Sequence, residues 1–156
     1  MNDKIIIFGD GGCKPNPGVG GIGCIIKYKN LIKEISDAFQ LTTNNRMEIM
    51  SVIYAFQFLN SKKMYLKCKK VQLFSDSQYV INTFAKKWIN VWQTNSWKNG
   101  TVKNVDLWNI LLEEVKFYEI EWLWTKSHAS DEFNNKCDQL ATKAIQNGIY
   151  KIDVGY

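Results

Sequence analysis

Arginine is nearly missing from this chain of 156 residues: Arg46 is the only one, although the net charge is +5. Histidine is as scarce, with His128 alone. The four cysteines, Cys13, Cys24, Cys68 and Cys137, have no C-x-x-C spacing. They read as reduced thiols of a cytoplasmic protein rather than as a metal or disulfide framework. No apolar run nears the roughly 20 residues that cross a bilayer, so no membrane contact is expected. Met1-Asn2-Asp3-Lys4 leads straight into an apolar stretch, so no signal peptide is expected either. Internal repeats, linkers and low-complexity segments are also missing. The two prolines, Pro15 and Pro17, fall in the glycine-rich stretch 9–23. That stretch lacks the G-x-x-x-x-G-K-[ST] pattern of a phosphate loop.

What the chain does have is a 46% hydrophobic content, that of a globular domain. Its length suits one domain with a sizeable core. We read a single domain over 1–147 and a loose tail over 148–156. Mild basicity is a weak pointer to a polyanionic partner. The aromatic residues say more, because Trp88, Trp92 and Trp97 lie amid Lys86, Lys87 and Lys98.

Hydrophobic periodicity gives strands over 4–9, 22–28, about 31–41, 71–75 and 120–125. The stretch 11–23 is expected to begin as a turn, and Lys29-Asn30 to join two strands tightly. From Thr43 the period changes, and Ile49, Val52, Ile53, Phe56 and Leu59 mark a helix, with Thr42, Thr43 and Asn44 as candidate N-caps. Further helices are expected over 77–87, 106–116 and about 133–145, with a loop over 95–100. The order βββ-α-β-α-α-β-α implies an α/β fold. Its sheet has five strands, three antiparallel followed by two parallel, with helices on both faces.

Two strands end in an aspartate: Ile5-Ile-Ile-Phe-Gly-Asp10 and Val71-Gln-Leu-Phe-Ser-Asp76. Set side by side, two like charges are costly unless a cation joins them, and a divalent cation prefers such oxygen ligands. Glu48 shares a helix face with Asn44 and Asn45, although Asn45 and Glu48 could equally form a capping box. Asp138 on the last helix could be a plain boundary acid, and His128 an incidental loop residue.

The joint order of motifs shifts the balance towards function. Asp10-Gly-Gly-Cys, Thr42-Thr-Asn-Asn-Arg-Met-Glu48, Asp76-Ser-Gln-Tyr, Lys126-Ser-His128 and Asn134-Asn-Lys-Cys-Asp138 follow one another, with Val102-Lys-Asn-Val-Asp-Leu-Trp108 between them. Together they closely resemble ribonuclease H of the type 1, bacterial-like family over nearly the whole chain.

The resemblance implies a monomeric endoribonuclease that cuts the RNA strand of RNA–DNA hybrids, leaving 5′-phosphate and 3′-hydroxyl ends. It implies that Asp10, Glu48, Asp76 and Asp138 bind two Mg2+ ions, which Mn2+ can replace. His128 would assist proton transfer or product release. Gly11, Cys13, Asn16, Asn44, Asn45 and Gln78 match positions near the RNA strand. Thr43 and Asn104 match a DNA-phosphate pocket, and Trp88 an aromatic contact to DNA. The chemistry suits these residue types. Phosphodiester hydrolysis builds negative charge that two metals can stabilise, and amides can both donate to and accept from a 2′-hydroxyl. Two other readings are a non-catalytic hybrid-binding module and another nuclease of the same fold.

The chain departs from the family pattern at several positions. Gly9 and Gly12 replace the usual Thr and Ser or Ala, which should loosen the backbone around Asp10. Ser127 replaces a Gly before the histidine. Leu41 stands where many relatives carry Arg, and the basic protrusion near Trp88 is short. The expectation is weaker, more salt-sensitive hybrid binding with the chemistry intact.

Overall fold

The computed structural model describes residues 3–126 and 132–156. Its sheet has the order β3-β2-β1-β4-β5. The strands are β1 (Ile5–Cys13), β2 (Gly18–Tyr28), β3 (Leu31–Thr42), β4 (Lys70–Ser75) and β5 (Glu119–Trp124). β1, β2 and β3 pair antiparallel, while β4 lies parallel to both β1 and β5. This is the mixed sheet that the element order implies.

Both early strands are longer than periodicity suggests. β1 and β2 run through the glycines up to the pairs Gly12↔Gly21 and Cys13↔Gly20. The turn shrinks to residues 14–17. The glycines are there for close packing. A Cβ on Gly11 would collide with the backbone of Met47, and one on Gly23 with the carbonyl of Cys137. Hydrophobic period cannot see a strand whose faces are occupied by neighbouring backbone. Gly9 and Gly12, expected to loosen the chain near Asp10, sit instead in the ladder opposite Cys24 and Gly21.

The helices are α1 (Asn44–Ser61), α2 (Gln78–Ala85), α3 (Trp88–Thr94), α5 (Val105–Val115) and α6 (Glu132–Gln146). Between α3 and α5, α4 (Ser96–Gly100) is a single left-handed turn with positive φ at Trp97, Lys98 and Asn99. It takes the place of the expected loop.

The sheet separates two layers. Ile5, Ile7, Cys24, Ile26, Val71 and Leu73 form the core with α1, α2, α3 and α5. In α1, Ile49, Val52, Ile53, Phe56 and Leu59 are at most 2% exposed. Burial of each such side chain is worth about 1.5–3 kcal/mol. On the other face, Phe8 stacks on Phe74 and on Phe133 of α6, with centroids 5.3 and 4.8 Å apart. Alternation along β1 puts Asp10 on this second face, in step with Phe8.

Residues 148–156, expected as a loose tail, are docked. Lys151 bridges Phe39 on the open edge of β3, and Asp153 is 4% exposed. No apolar pattern marks this attachment, because Ile149, Ile152 and Val154 remain 70–84% exposed. Among the described residues, no helix is long and apolar enough to cross a membrane.

Candidate active site

The parallel pairing of β1 with β4 ends at Gly9↔Ser75. The next residue on each chain segment is an acid, so Asp10 and Asp76 follow side by side, Asp10 still paired with Gly23 of β2 and Asp76 just past the end of β4. The start of α1 lies over β1, close enough that a Cβ on Gly11 would touch the Glu48 amide nitrogen. This close approach brings Glu48 to the strand ends. α6 crosses the other face, with Cys137 against β2 at Gly23 and the adjacent Asp138 exposed towards Asp10. Four elements far apart in sequence thus deliver four carboxylates to one end of the sheet.

Electrostatics record this convergence. Asp10 is 9% exposed, and its carboxyl is pushed up to about 8. Burial is the main cause, followed by the charges of Asp76, Asp138 and Glu48, while the Gly11 backbone N–H opposes the shift. Glu48 is pushed up to about 7, again by burial and then by Asp76, and the Ser77 hydroxyl holds it down. Ser77 also caps α2, its hydroxyl accepting from the Val80 N–H at 3.1 Å. No basic side chain among the described residues relieves either carboxyl. Among the described residues, no three such ligands are already closed into a metal cage.

The residues expected to meet substrate fall around this site. The N-cap of α1 is Thr43, whose hydroxyl accepts from the Arg46 N–H at 3.3 Å, so no capping box forms on Asn45. Asn44 instead fastens α1 to β1, its side-chain oxygen accepting from the Cys13 N–H at 2.6 Å. Asn16 in turn accepts from the Asn44 N–H at 3.1 Å.

Two grooves flank this helix start. One, of about 750 Å³, is lined by Gly12, Cys13, Asn16, Asn44 and Asp138. The other, of about 330 Å³, is lined by Asn45, Tyr79, Trp92, Lys98, Lys103 and Asn104. Gln78, the first residue of α2, is exposed. Trp92 is buried, whereas Trp88 is 39% exposed with the Lys86 ammonium 5.7 Å from its ring centre. His128 lies outside the described residues.

Sequence reasoning missed one buried polar cluster. Arg46 donates from Nε and Nη2 to Asp153 at 2.7 and 2.9 Å, and from Nη1 and Nη2 to Asp106 at 2.9 and 2.8 Å. The solitary arginine was the available signal. Nothing in the local sequence marks Asp153 as its partner.

The sequence profile of the RNase H family matches residues 2–146. The chain belongs to the ribonuclease H family. It is 40% identical to a ribonuclease H of Chlorobium phaeobacteroides over 150 residues, 94% of this chain and 99% of that one. It is 43% identical to a ribonuclease HI of Shewanella oneidensis, covering 97% of this chain and 94% of that one. Among solved structures it resembles LC9-RNase H1, a type 1 RNase H, with a TM-score of 0.81 at 25% identity, over 100% of this chain and 80% of that one. It also resembles LC11-RNase H1, solved in complex with an RNA/DNA hybrid, with a TM-score of 0.67 at 25% identity, over 93% of this chain and 99% of that one. Family and fold make the protein a ribonuclease H enzyme.

Proposed function

We propose that this endoribonuclease of RNA–DNA hybrids holds two Mg2+ ions, or Mn2+ in their place, on Asp10, Glu48, Asp76 and Asp138. The observation that carries the reading is Asp10 itself. It is a buried carboxylate ringed by three others and pushed up to about 8. The donor set is all oxygen, which suits hard divalent cations better than zinc. Bound there, such ions supply charge stabilisation for the phosphate and a stronger water nucleophile.

The side chains of this chain do the rest. Asp10 and Asp76 fix the site to the place where the pairing of β1 with β4 ends, and the Ser77 hydroxyl helps hold Glu48 in its charged form. The larger groove receives the RNA strand. The oxygens of Asn16 and Asn44 are committed to backbone N–H groups, so their amide nitrogens serve as donors to the 2′-hydroxyl. Gly11, Cys13, Asn45 and Gln78 complete the contacts to RNA. On the other side of α1, Thr43 and Asn104 hold a DNA phosphate, and exposed Trp88 supports the DNA strand. His128 assists proton transfer or product release. The products carry 5′-phosphate and 3′-hydroxyl ends. The four cysteines, all among the described residues, form no disulfide, which supports a cytoplasmic location. We take the enzyme to act as a monomer.

Asp10→Asn tests the assignment. Cleavage of a labelled hybrid should vanish while hybrid binding is retained. Cleavage at the parental rate would refute the metal role of Asp10, and loss of binding would make Asp10 a substrate contact instead.

A further inference from the structure

The Arg46 cluster reaches the smaller groove through Asn104, which lines it, and joins three separate segments. Arg46 belongs to the first turn of α1, three residues after Thr43, whose hydroxyl accepts from the Arg46 N–H. Its Nη1 reaches the Asn104 side-chain oxygen at 3.4 Å and Asp106 at 2.9 Å. Asn104 and Asp106 flank the first residue of α5. Asn104 is tied further to the Tyr79 hydroxyl at 3.2 Å. One planar guanidinium therefore spans the starts of α1 and α5, the two places that present Thr43 and Asn104.

The opposite edge of that guanidinium is held from the end of the chain. The Asp153 side chain is fully buried and accepts from Arg46 and from the Thr42 hydroxyl, the latter at 2.7 Å. Backbone bonds fix the segment in register. The Lys151 N–H donates to Ala38 at 2.8 Å, and the Gln40 N–H donates to Lys151 at 2.9 Å. Gly155, at φ +102°, stands where a Cβ would strike the Asp106 carboxylate.

The manner of attachment is informative. Asp153 is the one buried residue of 148–156. Ile149, Ile152 and Val154 stay exposed although they could have anchored the segment by hydrophobic burial. A buried ion pair is a poor source of stability, because desolvation cancels much of its attraction. Its forked geometry, however, fixes angles and distances closely. Such a contact is better suited to setting a position than to adding stability.

We propose that Asp153 is a positioning residue for hybrid binding: by fixing the Arg46 guanidinium it sets Thr43 and Asn104 at the spacing that grips one DNA phosphate. The C-terminal segment is then part of the substrate-binding apparatus although it touches no substrate. The inference rests on the reading of Thr43 and Asn104 as that phosphate pocket.

The test is a set of steady-state measurements on hybrid substrate, below the melting temperature of every variant. Asp153→Asn keeps the shape and an acceptor for Thr42, and Asp153→Ala removes both. We expect KM to rise about five- to tenfold in Asp153→Ala and less in Asp153→Asn, with kcat within about twofold, the pattern of lost uniform binding. Thr43→Ala and Asn104→Ala should also raise KM. Combining Asp153→Ala with Asn104→Ala should add little beyond the larger single effect. Should Asp153→Ala lower the melting temperature too far for assay, Asp153→Asn carries the test alone. A normal KM in folded Asp153→Asn and Asp153→Ala, while Thr43→Ala and Asn104→Ala raise it, overturns the proposal and leaves the pocket standing. A normal KM in Thr43→Ala and Asn104→Ala removes the pocket, and the proposal with it.

Discussion

Arg46 and Glu48 are two residues apart on one helix, and they serve electrostatically opposite sites. At Arg46 the protein closes its own circuit, with the guanidinium clasped by Asp153 and Asp106. The Arg46 hydrogen bond holds the Asp106 carboxyl below the usual range. At Glu48 the neighbouring charges among the described residues are all of one sign. Burial and neighbouring acids drive Glu48 and Asp10 up to about 7 and 8. A fold that pairs its buried charges at one end of a helix turn could have done so at the other. The acidic set, without a basic partner among the described residues, is where the proposed cations would sit. The paired set marks where the protein needs fixed geometry.

The contrast is broken most sharply by exchanging the consequences of mutation. Asp76→Asn should cut hybrid cleavage by at least about 10³-fold, because it would remove a proposed metal ligand from charge stabilisation that supplies most of the rate. Its melting temperature in the absence of metal should be unchanged or raised. Arg46→Ala should do the reverse to stability. It leaves the buried Asp153 carboxylate without its partner, at a cost of about 3–5 kcal/mol, readable by urea denaturation. If Asp76→Asn melts the protein, or Arg46→Ala leaves stability untouched, the division into open and closed charge sites is wrong.

A smaller effect follows from pH. A carboxyl raised in the folded state favours the fold at low pH, and that contribution is lost as pH rises through the folded value. Without metal, the wild type should therefore lose stability from about pH 4, the unfolded carboxyl range, to about pH 8, the upper limit being set by Asp10. The loss should shrink in Asp10→Asn. Metal must displace the same protons, so apparent Mg2+ affinity should climb over this window and level off above about pH 8. Thermal melts with and without Mg2+ across pH read both trends. Affinity independent of pH would place the metal elsewhere.

The smallest effect concerns the groove beside Arg46. Its guanidinium is already engaged by two carboxylates and adds little free positive charge there. Leu41, where the family resemblance leads one to expect an arginine, is 53% exposed. Leu41→Arg should lower KM for hybrid a few-fold at moderate salt and steepen the salt dependence by about one unit of log–log slope. An unchanged slope would mean that Leu41 is too far from the phosphate to matter.

Much of this was legible in the sequence, for identifiable reasons. β4 and α1 declare themselves because their buried side chains recur with the right period. The four acids were legible only jointly: Asp10 and Asp76 from their place after apolar runs, Glu48 and Asp138 from the ordered motif set. The glycine strands were not legible, since Gly11, Gly21 and Gly23 pack by lacking a side chain and contribute nothing to a hydrophobic pattern. The role of Thr43 as the α1 cap could be anticipated, whereas the use of Asn44 to fasten Cys13 depends on a contact 31 residues distant. Asp153 was hidden most completely. One polar residue among exposed apolar neighbours looks like a tail, and only the position of Arg46 in space reveals why it is buried.

The central claim is that four converging carboxylates make this a metal-dependent enzyme for RNA–DNA hybrids. Its most direct test uses end-labelled RNA presented as a hybrid, as a single strand and as an RNA duplex, each with Mg2+ or with chelator. Cleavage of the hybrid alone is expected, only with Mg2+, yielding 5′-phosphate ends. Cleavage that survives the chelator, or that proceeds equally on the RNA duplex, would contradict it.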